Sequence, residues 1–376
     1  ECAYRPAYTD ITGTTPVDRP GIESFLAPKG LEVFFSETHT VEGGSPVGKA
    51  AGEAIGMYGA INRRYKVEVN PQTQSEPGTT FHPYWVGDAP GQVAVLGRND
   101  RTGQQVWSGT YGYPGDFHYR EFHRKDAVSG LQYWRIGGAE IDLGNKPLYD
   151  PAIASGRMAD HAHHFAQLTE SLLNEFADQT GTYGVISSAY DTELFGHWWF
   201  EGADWLKLVL KELAASETVD LTTASAIIEQ HPPDSVLALP ESSWGAGGGH
   251  FTWLNDDTQW MWPVIHTAER RMEELVAQFP DANGATESLL NQAARELLLL
   301  QSSDWPFLVT TGQAKDYAIK RFNEHVERFN RLAELAPNAE SLSGDDAQYL
   351  DDVVYNDNPF AAINYRNFAA RQGSAA

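Results

Sequence analysis

The chain has 376 residues, 41% of them hydrophobic, which is enough material for one large domain and a smaller one. Its 27 basic and 51 acidic residues give a formal charge of −24, which disfavours nucleic acid and anionic membranes as partners. Cys2 is the only cysteine, so an intrachain disulfide and a cysteine-based zinc site are excluded, and a cytoplasmic location is expected.

The first part of the chain is predicted to alternate short regular elements with long irregular segments. Apolar runs predict buried strands at residues 31–35, 92–97 and 181–188, and a helix-like stretch is predicted at residues 21–27. Segment 37–90 has no sustained period and is rich in turn-forming residues, so we expect a long loop over a site. Segment 107–126 is a second irregular stretch.

An amphipathic helix is predicted over residues 158–177, where apolar side chains recur at helical spacing at Phe165, Leu168, Leu172 and Phe176. Another helix is predicted at residues 202–215. Asp191 lies just past the predicted strand 181–188. Reacting groups gather at this end of the strands in parallel α/β sheets, so Asp191 is a candidate catalytic residue.

Beyond residue 217 the strand signal fades and the chain is predicted to be helical. Apolar spacing predicts three helices, around residues 262–279, 289–300 and 318–333. The predicted fold class is therefore α/β, with an all-α domain after the α/β portion. The sequence contains no run of the roughly 18 apolar residues that a membrane span needs, so no membrane partner is expected.

Aromatic residues indicate the kind of substrate. Seven of the 11 Trp residues fall between Trp198 and Trp262. A single Trp more often fills a core than binds a ligand, but clustering beside polar loops favours a surface on which flat sugar faces stack.

Two carboxylates are candidates for glycoside chemistry. A retaining mechanism needs a nucleophile and an acid about 5–5.5 Å apart. Arg5 would keep Glu1 ionised, and the aromatic residues after Asp191 would raise the pKa of that carboxyl group. The alternative is structural, with Glu1 paired to Arg5 and Asp191 capping the following helix.

Several segments resemble motifs of glycoside hydrolase family 57. They are residues 1–6 (Glu-Cys-Ala-Tyr-Arg-Pro), 190–202 (Tyr-Asp-Thr-Glu-Leu-Phe-Gly-His-Trp-Trp-Phe-Glu-Gly), 244–255 (Trp-Gly-Ala-Gly-Gly-Gly-His-Phe-Thr-Trp-Leu-Asn) and 302–307 (Ser-Ser-Asp-Trp-Pro-Phe). The resemblance implies a 1,4-α-glucan branching enzyme that cuts an α-1,4 linkage, holds the glucan covalently and transfers it to a 6-hydroxyl. It also implies an α-1,4-glucan partner of the amylose or glycogen type, and no cofactor or metal is expected.

For the fold, the resemblance implies a partial, incomplete (β/α)7-type barrel over residues 1–216, with long loop insertions. Residues 217–376 would form an α-helical C-terminal domain that contributes to the active-site cleft. The family's first two motifs lie upstream of the nucleophile and are not in this sequence. We therefore expect the chain to be the C-terminal portion of a longer enzyme and the isolated polypeptide to be inactive or poorly folded.

The resemblance also assigns site residues. It makes Glu1 the nucleophile and Asp191 the general acid/base. Substrate-binding roles follow for Arg98 and Trp107 in the sugar cleft, for Trp244 and Trp253 where the helical domain closes over it, and for Tyr58 in a covering loop.

Some polar residues have two interpretations. His197 is predicted either to hydrogen-bond a sugar hydroxyl or to be a satisfied core histidine. The three histidines His161, His163 and His164 are predicted to be structural, because a third ligand with matching context for a zinc ion is missing. Asp116 is predicted to close a turn instead of orienting substrate.

Three functions remain open. Branching enzyme is the leading prediction. A 4-α-glucanotransferase or α-amylase would use the same two carboxylates, and loops decide whether water or a sugar hydroxyl reaches the glycosyl-enzyme. A non-catalytic α-glucan-binding protein is the third possibility.

Overall fold

The computed structural model describes residues 17–18, 21–43, 78–87, 93–107, 112–138, 140–243, 250–312 and 314–370. The chain divides into two compact units, Asp18–Ser242 and Ser243–Ala376. The units therefore part at residue 242, and the sequence-based domain boundary between residues 216 and 217 stays a prediction.

The first unit is a mixture of short strands and helices. Its strands are β2 (Val33–Ser36), β3 (Pro83–Val86), β4 (Ala94–Gly97) and β5 (Val236–Leu237). The described chain also has two-residue strands β1 (Val17–Asp18) and β6 (Ser242–Ser243). Its helices are α1 (Glu23–Leu26), α2 (Thr38–Glu42), α3 (Asp100–Trp107), α4 (Pro151–Thr180), α5 (Gly202–Leu213) and α6 (Ala224–Gln230).

Four strands form a mixed sheet in the order β2-β4-β3-β5. β2 and β4 are parallel with Phe34 opposite Val95, β3 is antiparallel to β4, and β5 is parallel to β3. All four residues of β4 are buried, as expected for a central strand with neighbours on both sides. The strands predicted at residues 31–35 and 92–97 are confirmed as β2 and β4.

The prediction of a strand at residues 181–188 is wrong. This segment bonds to two different partners in turn, since Val185 N donates to Phe81 O and Asn99 N donates to Ser187 O. It has a single parallel bridge, between Ser187 and Arg98. One bridge is not a ladder, so the segment is extended but lies outside the regular sheet.

Helix α4 is longer than the predicted helix 158–177 because both of its ends are capped. Asp150 accepts from Ala152 N at 2.9 Å, and a proline occupies the first turn. Gly181 ends the helix with φ +71, a conformation that favours glycine. α4 packs against α5, and their buried aromatic core includes Phe165, Trp199 and Trp205. The helix predicted at residues 202–215 is confirmed as α5.

The second unit is helical over its described residues. It contains α7 (Met261–Gln278), α8 (Gly284–Leu300), α9 (Asp304–Thr311), α10 (Lys315–Leu335) and α11 (Gly344–Asn356). The three predicted helices are confirmed as α7, α8 and α10. α8 lies at the centre of the core, with Leu290, Ala293 and Leu297 buried against α7 and α10. Among the described helices, none is both long and apolar enough to cross a membrane.

Candidate active site

The carboxyl ends of β2 and β4 position a buried ion pair. Glu37 follows β2 and Arg98 follows β4, and the two parallel strands end at the same edge of the sheet. Arg98 Nε donates to Glu37 Oε1 at 3.1 Å, and Arg98 Nη2 donates to Glu37 Oε2. The two side chains are only 6% and 7% exposed. A bidentate contact in this setting fixes the guanidinium at the sheet edge.

The surrounding backbone reinforces this ion pair. Thr38 N donates to Glu37 Oε1 at 3.0 Å, and Thr38 Oγ1 donates to the backbone oxygen of Arg98 at 2.7 Å. A Cβ on Gly97 would lie 2.9 Å from Val41 Cγ2, so glycine allows α2 to pack closely against the end of β4. Nearby, His39 Nε2 lies 2.7 Å from Ser242 Oγ, and burial lowers the His39 pKa.

Asp191 comes four residues after Ser187, which bridges Arg98 at the same sheet edge. Asp191 is half-buried and precedes the 3-10 turn Thr192–Leu194, in which Leu194 N donates to Asp191 O at 3.2 Å. The predicted candidate for general acid is therefore on a short, hydrogen-bonded turn beside the strand ends.

Tyr190, the residue before Asp191, ties this turn to α3. Its hydroxyl donates to Thr102 O at 3.0 Å. Burial raises the pKa of Tyr190 well above its usual value, and a hydrogen bond with Ser188 and the Arg98 charge oppose only part of the rise. The phenol therefore stays protonated as a donor, and the edge combines a carboxyl group, a fixed cation and a fixed turn.

A second buried polar cluster lies under the Asp191 turn, in the aromatic core of α4 and α5. Asp116 Oδ2 accepts from Arg157 Nε at 3.0 Å and lies 3.5 Å from His161 Nε2. Tyr119 hydroxyl lies 2.6 Å from His161 Nδ1, and the Tyr113 ring stacks on the imidazole. Burial lowers the His161 pKa to about 4, so the ring is neutral at pH 7 and shares a hydrogen bond with the Tyr119 hydroxyl at Nδ1.

These contacts match the structural roles predicted for this group. His164 Nδ1 lies 2.6 Å from Tyr113 hydroxyl, and His163 Nδ1 lies 2.8 Å from Glu212. Asp116 closes a turn, since its Oδ1 accepts from His118 N at 2.8 Å, and it also has the Arg157 ion pair that the sequence did not indicate.

The other predicted site residues are placed differently. Glu1, Tyr58 and Trp244 lie outside the described residues. Trp107 ends α3, and its side chain is not described. Of the predicted site residues, Arg98 lies at the sheet edge, and Asp191 lies four residues beyond Ser187, which bridges Arg98.

His197 and Trp253 do not share that edge by any described contact. The His197 side chain is exposed and touches Phe122 and Trp198, with ring centroids 5.1 and 5.3 Å away. Trp253 belongs to the second unit and is buried at 4% exposure. Its backbone oxygen accepts from Trp262 Nε1 at 3.1 Å. The substrate-binding roles of both stay predictions.

Within the described ranges, one group of His and acidic residues is close enough to hold a metal ion, namely Glu296, His325 and Asp357 of the second unit. Arginines already bind Asp357 and His325, and Gln292 Nε2 donates to Glu296 Oε1 at 3.0 Å. Arg328 Nη1 and Arg321 Nη2 both approach Asp357, and Arg321 Nη2 also donates to His325 Nε2 at 3.1 Å. His325 Nδ1 therefore donates to Glu296, and the group is an ion-pair network better suited to holding helices than a cation.

Glu37 was not predicted as a site residue. The available signal was an acidic residue directly after a buried apolar strand, the same signal that identified Asp191. It was hidden inside the long segment predicted to be an irregular loop.

Comparison with known proteins indicates which family this chain resembles. A family model described as "1,4-alpha-glucan branching enzyme, C-terminal" matches residues 264–368. Along nearly the whole chain, 365 residues or 96% of it, the sequence is 44% identical to the 1,4-alpha-glucan branching enzyme TK1436 of Thermococcus kodakarensis. Over nearly its whole length the chain is similar to GH57-type branching enzymes. The recognition of glycoside hydrolase family 57 from the motifs is thus confirmed.

Solved structures agree with this family assignment. The crystal structure of the Thermococcus enzyme, in complex with glucose and additives, superposes with a TM-score of 0.77 at 42% identity, covering 96% of this chain and 62% of that one. A GH57-type branching enzyme from Pyrococcus horikoshii gives 0.74 at 37% identity, with 96% and 63% covered. The α-amylase AmyC of Thermotoga maritima gives 0.68 at 28% identity, with 95% and 64% covered.

These similarities confirm the predicted fold class, an α/β portion of the incomplete (β/α)7 type followed by an α-helical C-terminal domain. The chain spans about half the length of the curated relatives it matches, 51% of the Thermococcus enzyme.

Proposed function

We propose that this chain is part of a 1,4-α-glucan branching enzyme, which transfers an α-1,4-glucan segment to a 6-hydroxyl and so forms α-1,6 branches of glycogen-type glucan. The supporting observation is the 44% identity to a branching enzyme along 96% of the chain. Greater likeness to the two branching enzymes than to the α-amylase favours transfer over hydrolysis. A neutral glucan also suits a chain with a formal charge of −24, and the single cysteine supports a cytoplasmic location.

In this proposal the reaction is a retaining double displacement. Glu1 is the nucleophile that forms the glycosyl-enzyme, and Asp191 protonates the leaving oxygen and then deprotonates the acceptor hydroxyl. The position of Asp191 supports its role, since the residue is half-buried on a hydrogen-bonded turn that follows the bridge between Ser187 and Arg98. Arg98, fixed by Glu37, would bind sugar hydroxyls at the same edge.

The test uses the native gene product that contains this sequence, incubated with linear amylose. New α-1,6 linkages are counted by NMR and by the chains that a debranching enzyme releases, and reducing ends are counted in parallel. We expect branches to outnumber new reducing ends. Reducing ends without branches would instead indicate an α-amylase, and redistribution of linear chain lengths without branches would indicate a 4-α-glucanotransferase.

A matched pair of variants tests the role of Asp191. Asp191→Asn removes the proton donor and should lower the branching rate by about 10²–10⁴-fold. Glu193→Gln changes an exposed acidic residue on the same turn and should leave the rate within about twofold. Equal losses in the two variants would contradict the assignment.

A further inference from the structure

An exposed group of aromatic rings lies directly beyond the Asp191 turn. It consists of Phe122, His123, His197 and Trp198, which we call the aromatic ledge. The Phe122 and Trp198 rings are 4.3 Å apart between centroids, and the imidazoles of His123 and His197 lie 5.2 and 5.1 Å from Phe122. Trp198 is 43% exposed and the His123 side chain 69%. These rings pack tilted or edge to face, with Phe122 half-buried and the other three exposed. Aromatic rings grouped in this way and open to solvent are typical of a recognition surface.

Two anchored turns hold the ledge still. On one side, Trp198 N donates to Glu193 O at 3.2 Å, and the next residue, Trp199, is buried at 2% exposure in the α4/α5 core. Gly196, at φ +90, lets the chain fold back between these residues. Trp199 thus points into the core, and Trp198 points out to solvent.

On the other side, the residue before Phe122 is fixed by the sheet-like pairing around it. Glu121 N donates to Trp134 O at 2.9 Å, and the buried Glu121 carboxylate lies 3.6 Å from Lys146 Nζ and accepts from His123 N at 2.8 Å. The rings are therefore positioned before any ligand arrives, which limits the entropy lost on binding.

The ledge is connected to the candidate catalytic turn by a short path. Glu193 is two residues from Asp191, and the Trp198 backbone bonds directly to Glu193. The Cα atoms of Asp191 and Trp198 are therefore at most roughly 15 Å apart. A polymer lying on the ledge can extend to Asp191 over the length of a short oligosaccharide.

We propose that the aromatic ledge is a binding site for an α-1,4-glucan chain, in which sugar rings stack on Trp198 and Phe122 and their hydroxyls bond to the imidazoles of His123 and His197. This inference rests on the proposed function, because that function supplies the glucan. The aromatic faces match the apolar faces of sugar rings, and the imidazole nitrogens are suited to hydroxyl groups. The ledge thus holds a part of the donor or acceptor chain away from the bond that is cut.

The test measures retention of the native gene product by glycogen in native gels and its Kd for amylose, both in an Asp191→Asn background that stops turnover. Trp198→Ala should weaken amylose binding about tenfold, the order expected when an anchoring aromatic is removed. Tyr355→Ala removes an 88%-exposed aromatic of the second unit and should not change binding. With Asp191 restored, Trp198→Ala should raise KM for amylose more than it lowers kcat.

Two further variants keep the test decisive if Trp198→Ala fails to fold. Trp198→Phe keeps the contact with Phe122 and should give an intermediate loss. His123→Ala removes an exposed imidazole together with its packing on Phe122 and its 3.1 Å contact with Glu121 Oε1, and it should weaken binding by a smaller factor. Unchanged amylose binding in folded ledge variants would overturn the proposal. It would also be overturned if the ledge variants kept their glucan binding and instead lost the ability to self-associate. If the wild type forms no branches but the ledge variants still lose glucan binding, the proposed function fails and the ledge stands.

Discussion

His161 is expected to make stability depend on pH. Burial lowers its pKa from the ordinary 6.5 to about 4, so the folded protein binds a proton there less readily than the unfolded chain does. Because the unfolded state binds more protons between these values, this contribution to stability is complete above pH 6.5. It is lost as the pH falls toward 4. Lowering the His161 pKa by this amount corresponds to about 3 kcal/mol in the free energy of unfolding.

His161→Gln tests this expectation. Glutamine can still accept from the Tyr119 hydroxyl but cannot gain the proton, so the variant should lose less stability than the wild type between pH 7 and pH 4.5. The measurement is the free energy of urea unfolding of the native gene product at several pH values, followed by the fluorescence of the buried Trp199 and Trp205. His163→Gln, an exposed position on the same helix, should follow the wild type. Parallel losses in wild type and His161→Gln would refute the reasoning.

Two buried carboxylates give further predictions. Glu37→Gln leaves the Arg98 charge without its buried partner and should lower the free energy of unfolding by about 3–5 kcal/mol, whereas Glu32→Gln, at an exposed position before β2, should change it by less than about 0.5. Glu296→Ala should destabilise the helical unit by a similar 3–5 kcal/mol, seen as faster hydrogen exchange in α8 and α10, while the exposed Glu327→Ala on α10 should leave exchange unchanged. Equal effects of target and control in either pair would contradict the assigned burial.

Sequence patterns predicted the elements whose signal lies within a single segment. The helices α4, α7, α8 and α10 were visible because each presents an apolar stripe over several turns. The caps Asp150 and Gly181 extend α4 beyond the predicted range, since the apolar stripe ends before the hydrogen-bonded helix does. β5 was missed because it is two residues long, too short to show a period.

The parts of the site that sequence could not give depend on contacts between distant residues. Glu37 and Arg98 are 61 positions apart, and no local pattern marks them as partners. Asp191 was found from its position after the predicted strand 181–188 and from the family motif, although that strand proved irregular. The aromatic core around His161 was suspected only as a group of histidines, since its neutral state depends on burial that the fold creates.

The 30-residue helix α4 has a consequence for how this protein can vary. At 1.5 Å per residue it is about 45 Å long, and it reaches from the polar cluster at His161 to the Phe176 ring, which stacks on Phe81 at 4.8 Å. One inserted residue between these two points would turn Phe176 by about 100° around the helix axis and break that stacking. Natural relatives should therefore gain or lose residues here only in amounts close to complete helical turns. The length of α4 should then vary less among relatives than the rest of their sequences does.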